Sequence, residues 1–277
     1  MIEFVVAFLL FYMWHGMGIT VGYHRLLAHR SFQCTKAFEY FFILGGYFAY
    51  QGSPIWWSAI HRAHHKYSDT DLDPHSPRKG LYWALLGWML EGKYPDHVNG
   101  QLHCKDLITD PIYRFVECGG SLKKATLLNF VINCVYRGLL WAIFGWKIAL
   151  ASLLASVMVF TIPQMLNVVC HIPKFGYQNF TTKEDSMNVW WVGLLGMGEG
   201  WHNNHHAYPG SAQTGIRPHE LDVSWQTIRV GKLFGWVKSV NTPKDVQRKL
   251  AQRDGARVRL ANFRRIRRLR QRSASAA

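Results

Sequence analysis

The sequence predicts an all-α integral membrane protein, with about three transmembrane helices and a helical cap that carries a histidine-rich two-metal site. Three observations lead there. Apolar runs at residues 2–21, 126–145 and 148–170 each match the roughly 20 residues needed to cross a bilayer. Aromatic residues are heavy, with 12 Trp, 12 Tyr and 16 Phe, and Trp and Tyr gather at membrane interfaces. The histidines fall into blocks. His61-Arg62-Ala63-His64-His65 and His202-Asn203-Asn204-His205-His206 both read H-x-x-H-H, His24 and His29 form H-x4-H, and His171 closes an apolar run that also holds Asn167. Mean hydropathy is near zero, so part of the chain must face water.

The first run is broken only by Glu3 and His15. It lacks the basic start and small-residue cleavage site of a signal peptide, so it is predicted to span the membrane and deliver His24 and His29 to its surface. Five residues is not a same-face spacing on an α-helix, so this pair is expected where a helix ends and the chain turns. His15 should bond within the bundle, with a place in a substrate tunnel as the alternative. Residues 37–50 are short for a span and are weakened by Gly45-Gly46, which suggests an interfacial or partly inserted helix. Gln51-Gly52-Ser53-Pro54 breaks it, and Pro54 opens the helix bearing Trp56, Trp57 and the first block. The acidic turn Asp69 to Asp73 lacks an EF-hand's glycine and distal glutamate in register. Asp69, Asp73 and, further on, Glu199 are instead candidates to hold the outer N–H of ligating imidazoles.

Residues 81–90 read as a short apolar helix. Residues 91–124 read as a polar connector in which His97 and His103 are bystanders. The runs 126–145 and 148–170 form a hairpin about Gly145-Trp146-Lys147, and Arg137 inside it needs a partner that the sequence does not name. Residues 219–240 look amphipathic. One domain, 1–245, is expected, followed by a basic tail, 246–277, that is mobile or lies on anionic lipid. Three spans put the two ends on opposite sides. The basic tail belongs inside, so the histidine blocks face the cytoplasm, here of a bacterial inner membrane.

The formal charge is +15, but the apolar runs are too long for a nucleic-acid-binding chain and no such motif is present. The charge suits anionic lipid and an acidic electron-transfer partner. Five cysteines without a C-x-x-C pair argue for a reducing compartment and against a disulfide framework or zinc ribbon.

In each H-x-x-H-H block the first and last histidines are four apart and share a helix face, and the middle one is rotated by about 100° from the last. One helix can thus address two neighbouring points, and two facing helices can cage a pair of metal ions. Nine histidines exceed the four ligands of a structural zinc site. Imidazole suits iron, zinc and copper. The chain has neither the H-E-x-x-H of metalloproteases nor the Glu-x-x-His set of soluble di-iron bundles. Neutral imidazoles around two irons at a membrane surface suit O₂ activation on a greasy substrate. A metal transporter or sensor is the rival from another class, but it would need ionisable residues forming a path through the spans.

Three stretches carry a family resemblance: Gly18 to Phe32 around His24 and His29, His61 to His75, and Gly198 to Pro209 around the second block. Over residues 10–240 the chain resembles the membrane fatty acyl desaturases, in the acyl-CoA (delta-9, stearoyl-CoA type) branch. The resemblance implies a di-iron enzyme that uses O₂ and two electrons to turn –CH₂–CH₂– into a cis double bond in an acyl chain. It implies one iron held by His24, His29, His61, His65 and His206. It implies a second held by His64, His171, His202 and His205, with Asn167 acting through a water. Gln51 and Trp57 would shape the bend of the acyl tunnel, and Tyr12 and Gly16 its closed end, where a glycine should leave room for long chains. Family members usually have four spans, so either the start is truncated or a three-span form exists. Of the basic residues expected around coenzyme A only Lys93 remains, with Ala59 and Gly92 at two other positions. Acyl-CoA is the expected substrate, with acyl-lipid and acyl-carrier protein as other carriers. With no fused cytochrome b5 domain in the sequence, electrons are expected from a separate ferredoxin, rubredoxin-like protein or cytochrome b5. A hydroxylase of alkane, sterol or lipid is the nearest rival.

Overall fold

The computed structural model describes residues 1–253. Helix α1 (Ile2–Met17) continues without a break into a π-helical stretch, Gly18–Ala28. Together they form one 27-residue rod, apolar enough to cross a membrane, so the first span runs past the expected limit at residue 21. The H-x4-H pair sits, as expected, where this helix ends, with His29 as its C-cap, but the π winding corrects the premise that residues five apart cannot share a face. Its hydrogen bonds join residues five apart, and His29 N–H donates to His24 O at 3.0 Å. Widening the turn brings residues five apart into register, and the two rings sit 4.8 Å apart, centroid to centroid.

Strand β1 (Phe32–Cys34) leads into α2 (Lys36–Tyr47), whose first turn is capped by Thr35 accepting from Phe38 N–H. Gly45 and Gly46 are contact surfaces as well as weak helix formers. A Cβ on Gly45 would lie 2.6 Å from Trp14 O, and one on Gly18 would lie 2.1 Å from Gly46 N. Backbone therefore packs on backbone where α1 meets α2. Helix α3 (Pro54–Tyr67) starts at Ser53, which accepts from Ile55 N–H. The buried Glu117 carboxylate accepts from Trp56 N–H at 3.2 Å, placing negative charge at the positive end of the helix.

The remaining candidate spans, α4 (Leu122–Phe144) and α5 (Trp146–Val169), form the expected hairpin about Gly145, at φ 87°. The outer face of α4 leaves Leu127, Trp141 and Ile143 more than 60% exposed, as a lipid-facing surface requires. The inner face carries Asn129, Asn133 and Arg137, four residues apart. Asn129 and Asn133 donate to Tyr47 O, and Arg137 donates to Phe48 O at 2.9 Å, to Asn133 Oδ1 and to Ser156 Oγ. The unnamed partner of Arg137 is thus the open C-terminal end of α2, whose last carbonyls would otherwise be unsatisfied.

The cap contains short helices, of which α6 (Trp190–Leu195), α7 (His202–Ala207) and α8 (Val223–Leu233) bear on the site. Strand β2 (Val237–Val240) pairs antiparallel with β1. This small sheet is absent from an all-α reading, yet the described residues are predominantly helical. Residues 243–253 are helical, so a helix crosses the expected boundary at 246. The rest of the basic tail lies outside the described residues. All five cysteines are free thiols.

Candidate metal centre

Nine imidazoles converge where α1, α3, α5 and α7 meet. Ligand atoms of His24, His29, His61, His65 and His205 all lie within 4.8 Å of one another, and those of His64, His171, His202 and His206 form a second such group. The groups touch: the His65 and His206 rings are 4.4 Å apart. This corrects the partition implied by the resemblance, because His205 belongs to the first group and His206 to the second. The physical reason is helical phase. His202 and His206, four apart, must face the same way, as His61 and His65 do.

The geometry fits metal ions. Within the first group, Nε2 atoms approach each other at 2.8 Å (His29–His61), 2.9 Å (His65–His205), 3.0 Å (His24–His205) and 3.1 Å (His61–His65). In the second, His171 and His202 Nε2 are 3.0 Å apart. Neighbouring nitrogens on one ion, each about 2.1 Å from it, sit about 3.0 Å apart at right angles. The Nε2 atoms of His64 and His206 are buried and have no protein partner. Burial first, then the crowding of other imidazoles, holds the pKa of His29, His61, His65, His202, His205 and His206 well below the usual value. They are therefore neutral, which is the form that binds metal.

Carboxylates orient the rings. Asp73 Oδ1 lies 3.0 Å from His64 Nδ1, Asp69 Oδ2 lies 3.1 Å from His171 Nδ1, and Glu184 Oε1 lies 3.2 Å from His206 Nδ1. Glu199 contacts His24 Nδ1. A proton held on Nδ1 leaves the Nε2 lone pair for the interior of the cluster. Burial raises the pKa of Asp69, Asp73 and Glu199, but the adjacent histidines, joined by Arg25 at Glu199, outweigh it and hold all three below the usual range.

Sequence reasoning missed several supports. Arg25, 1% exposed, bonds Glu199, Asp222, Thr214 Oγ1 and Ala212 O. A charge inside a buried ligand segment was the available signal. Asn203 accepts from the N–H groups of Asn179 and Phe180, and Asn204 donates to Glu220 and Thr214 O, so the residues between the histidines anchor α7 to its surroundings. Glu184, in a polar loop far from any block, gave no signal. His75 packs on His64 and lines a cavity.

Two cavities meet at the centre. One runs from His24, His61 and His202 between α1 and α5 to Gly16, Val159 and Met197, with mainly apolar walls. The other, of about 430 Å³, passes Gln51, Ser53 and Trp88 towards the start of α4. Trp57, His61, Pro163 and Asn167 line both. Trp57 stacks on His61 with its Nε1 donating to Gln51 Oε1 at 3.0 Å, so the pair expected at the bend sits at the junction. Tyr12 packs against the Ile19, Ala49 and Val159 cluster and donates to Leu195 O. His15 is buried with Nδ1 2.8 Å from Gly45 O, the expected bond within the bundle. Lys93 stands apart from both cavities, exposed, with Nζ 3.7 Å from Asp96. His97 and His103 lie outside both histidine groups.

A histidine cage that opens into apolar cavities beside three candidate spans defines a membrane protein able to hold metal next to an apolar cavity. Comparison with known proteins narrows this. The family model "Fatty acid desaturase" matches residues 2–229. The chain is 38% identical over 237 residues to the sn-1 stearoyl-lipid 9-desaturase of Anabaena variabilis, covering 85% of this chain and 82% of the relative. It is 36% identical to delta-9 acyl-lipid desaturase 1 of Arabidopsis thaliana (84% and 74% covered). It is 35% identical to an acyl-CoA C20 delta5-desaturase of Anemone leveillei (89% and 76%). The chain belongs to the fatty acid desaturase family. It is a fatty acyl desaturase, an oxygen-dependent oxidoreductase acting on an acyl substrate.

Proposed function

We propose that this chain introduces a cis double bond at carbon 9 of a saturated acyl ester or thioester at a di-iron centre. The balance is –CH₂–CH₂– plus O₂, two electrons and two protons to –CH=CH– plus two waters. The observation that carries the reading is the meeting of two neutral imidazole groups with two largely apolar cavities beside the spans. His24, His29, His61, His65 and His205 would hold one iron. His64, His171, His202 and His206 would hold the other, with Asn167, which faces both cavities, acting through a water. The irons would supply the oxidant that removes two hydrogens. The chain's own residues do the rest. Asp69, Asp73, Glu184 and Glu199 fix ring orientation, Trp57 and Gln51 hold the acyl chain at the bend, and the apolar walls exclude water from the reacting carbons.

Electrons would arrive from a separate ferredoxin, rubredoxin-like protein or cytochrome b5. The centre would face the cytoplasm. The span ends nearest it carry Arg30, Lys123, Lys124 and Lys174 against Lys147 alone at the hairpin turn, in keeping with the basic excess of cytoplasmic loops. The test is expression in a host lacking its own desaturase, then purified enzyme with stearoyl-CoA in one arm and stearoyl-lipid vesicles in the other. Mass spectrometry locates the double bond. Product unsaturated at carbon 9 in either arm supports the reading and fixes the carrier; hydroxylated product or none would refute it.

A further inference from the structure

We propose that Met197 is the stop that sets how long an acyl chain the enzyme accepts, and that Gly16 is the notch that receives it. The inference rests on the desaturase activity and adds the depth of its cavity.

The smaller cavity begins at His24, His61 and His202 and ends among Gly16, Val159, Leu195 and Met197. Gly16 precedes His24 by eight residues on one continuous rod, so the end is displaced along that rod from the ligand, on the side away from the histidines. The glycine should have left empty space there, but that space is taken. A Cβ on Gly16 would lie 2.4 Å from Met197 Cε and 2.9 Å from its Sδ, with Val159 Cγ2 next at 4.0 Å. The thioether tip of Met197 occupies the notch.

The two ends of this side chain differ in freedom. The backbone of Met197 is held in the left-handed region at φ 55°. Its carbonyl accepts from Ser224 N–H at 3.0 Å and Ser224 Oγ at 2.9 Å, and Ser224 Oγ lies 2.6 Å from Thr20 Oγ1 on the α1 rod. The anchor is therefore fixed relative to the helix that carries Gly16, and Met197 is only 2% exposed. Its side chain is unbranched, with three rotatable bonds, and can be pushed aside. A methyl group placed on Gly16 meets that flexible tip first and drives it into the cavity. Removal of the tip opens the cavity floor into the notch. Gly16 and Met197 thus act as one length gauge, and neither substitution has its effect independently of the other.

The experiment measures chain-length distribution of monounsaturated products by gas chromatography. The host lacks its own desaturase, is fed a mixture of saturated acids, and expresses wild type, Met197→Ala, Gly16→Ala or both. Met197→Ala is expected to raise the ratio of long to short products at least about 10-fold, the low end of what one methylene decides in a hydrophobic pocket. Gly16→Ala is expected to move the ratio the other way. In the double variant the Gly16→Ala effect should vanish, because the atoms it displaces are gone. Should Met197→Ala accumulate no folded protein, Met197→Leu, similar in volume but shorter in reach, carries the same expectation at smaller size. Unchanged product lengths in an active Met197 variant, or equal shortening by Gly16→Ala with and without Met197, would overturn the gauge. No unsaturated product from wild type would instead overturn the desaturase reading.

Discussion

The two H-x-x-H-H blocks share a spacing and are used in opposite senses. On α3, His61 and His65 serve the first group and His64 crosses to the second. On α7, His202 and His206 serve the second and His205 crosses to the first. Each helix gives its same-face pair to one group and its rotated histidine to the other, which ties the groups together through backbone. Their support differs as well. Helix α3 is 14 residues long, with a side-chain cap and a buried glutamate at its start. Helix α7 is six residues with no side-chain cap, and its position depends on Asn203 and Asn204. A short helix cannot stabilise itself, so both residues between its histidines bond outward, whereas on α3 Arg62 alone does so, to Leu27 O, Ala28 O and Asp106, and Ala63 packs in the core.

This contrast can be broken experimentally, and the largest effects come first. Replacing either crossing histidine, His64→Ala or His205→Ala, removes a ligand from one group and a link between both. Product should fall to background by gas chromatography, whereas retained turnover would show that the residue is no ligand. Next, Asp73→Asn weakens the orientation of His64. Loss of such a partner typically costs 10–100-fold in metal affinity, so a chelator titration of the metal-loaded enzyme should become biphasic, with one ion leaving early. Third, Asn204→Ala leaves the buried Glu220 carboxylate and Thr214 carbonyl without this partner, at about 1–3 kcal/mol. The expected lowering of the thermal midpoint should exceed that of Ala63→Ser on α3, where a longer helix absorbs the change. The smallest effect is Lys93→Ala. Its side chain is exposed and its ion pair loose, and such pairs are worth little, so the midpoint and the KM for stearoyl-CoA should both stay put.

Much of the fold was legible because spans and ligand blocks obey simple periodicities. The hairpin of α4 and α5 followed from two apolar runs and a glycine. The pairing of His61 with His65, and of His202 with His206, followed from helical phase. Where the reading followed helical phase it agreed with the geometry, and where it borrowed a partition it exchanged His205 and His206. The H-x4-H pair was rightly placed at a helix end, but its shared face was missed for want of the π winding, which no local propensity announces; the backbone packing at Gly18 that accompanies it depends on Gly46, in the next helix. Arg137 had no visible partner because that partner is a set of main-chain carbonyls, which sequence does not label. Glu184 and Met197 stayed hidden for another reason, since each meets its partner, His206 or Gly16, only once the chain is folded. The hollow expected beside Gly16 was a statement about one residue, and the molecule answers with two.

Anaerobic iron titration of the purified enzyme in detergent tests the central claim most directly, read by elemental analysis after removal of loosely bound metal. The account predicts saturation at two irons per chain, falling to one tightly held iron in His64→Ala. Saturation of the wild type at a single iron, with His64→Ala unchanged, would contradict it.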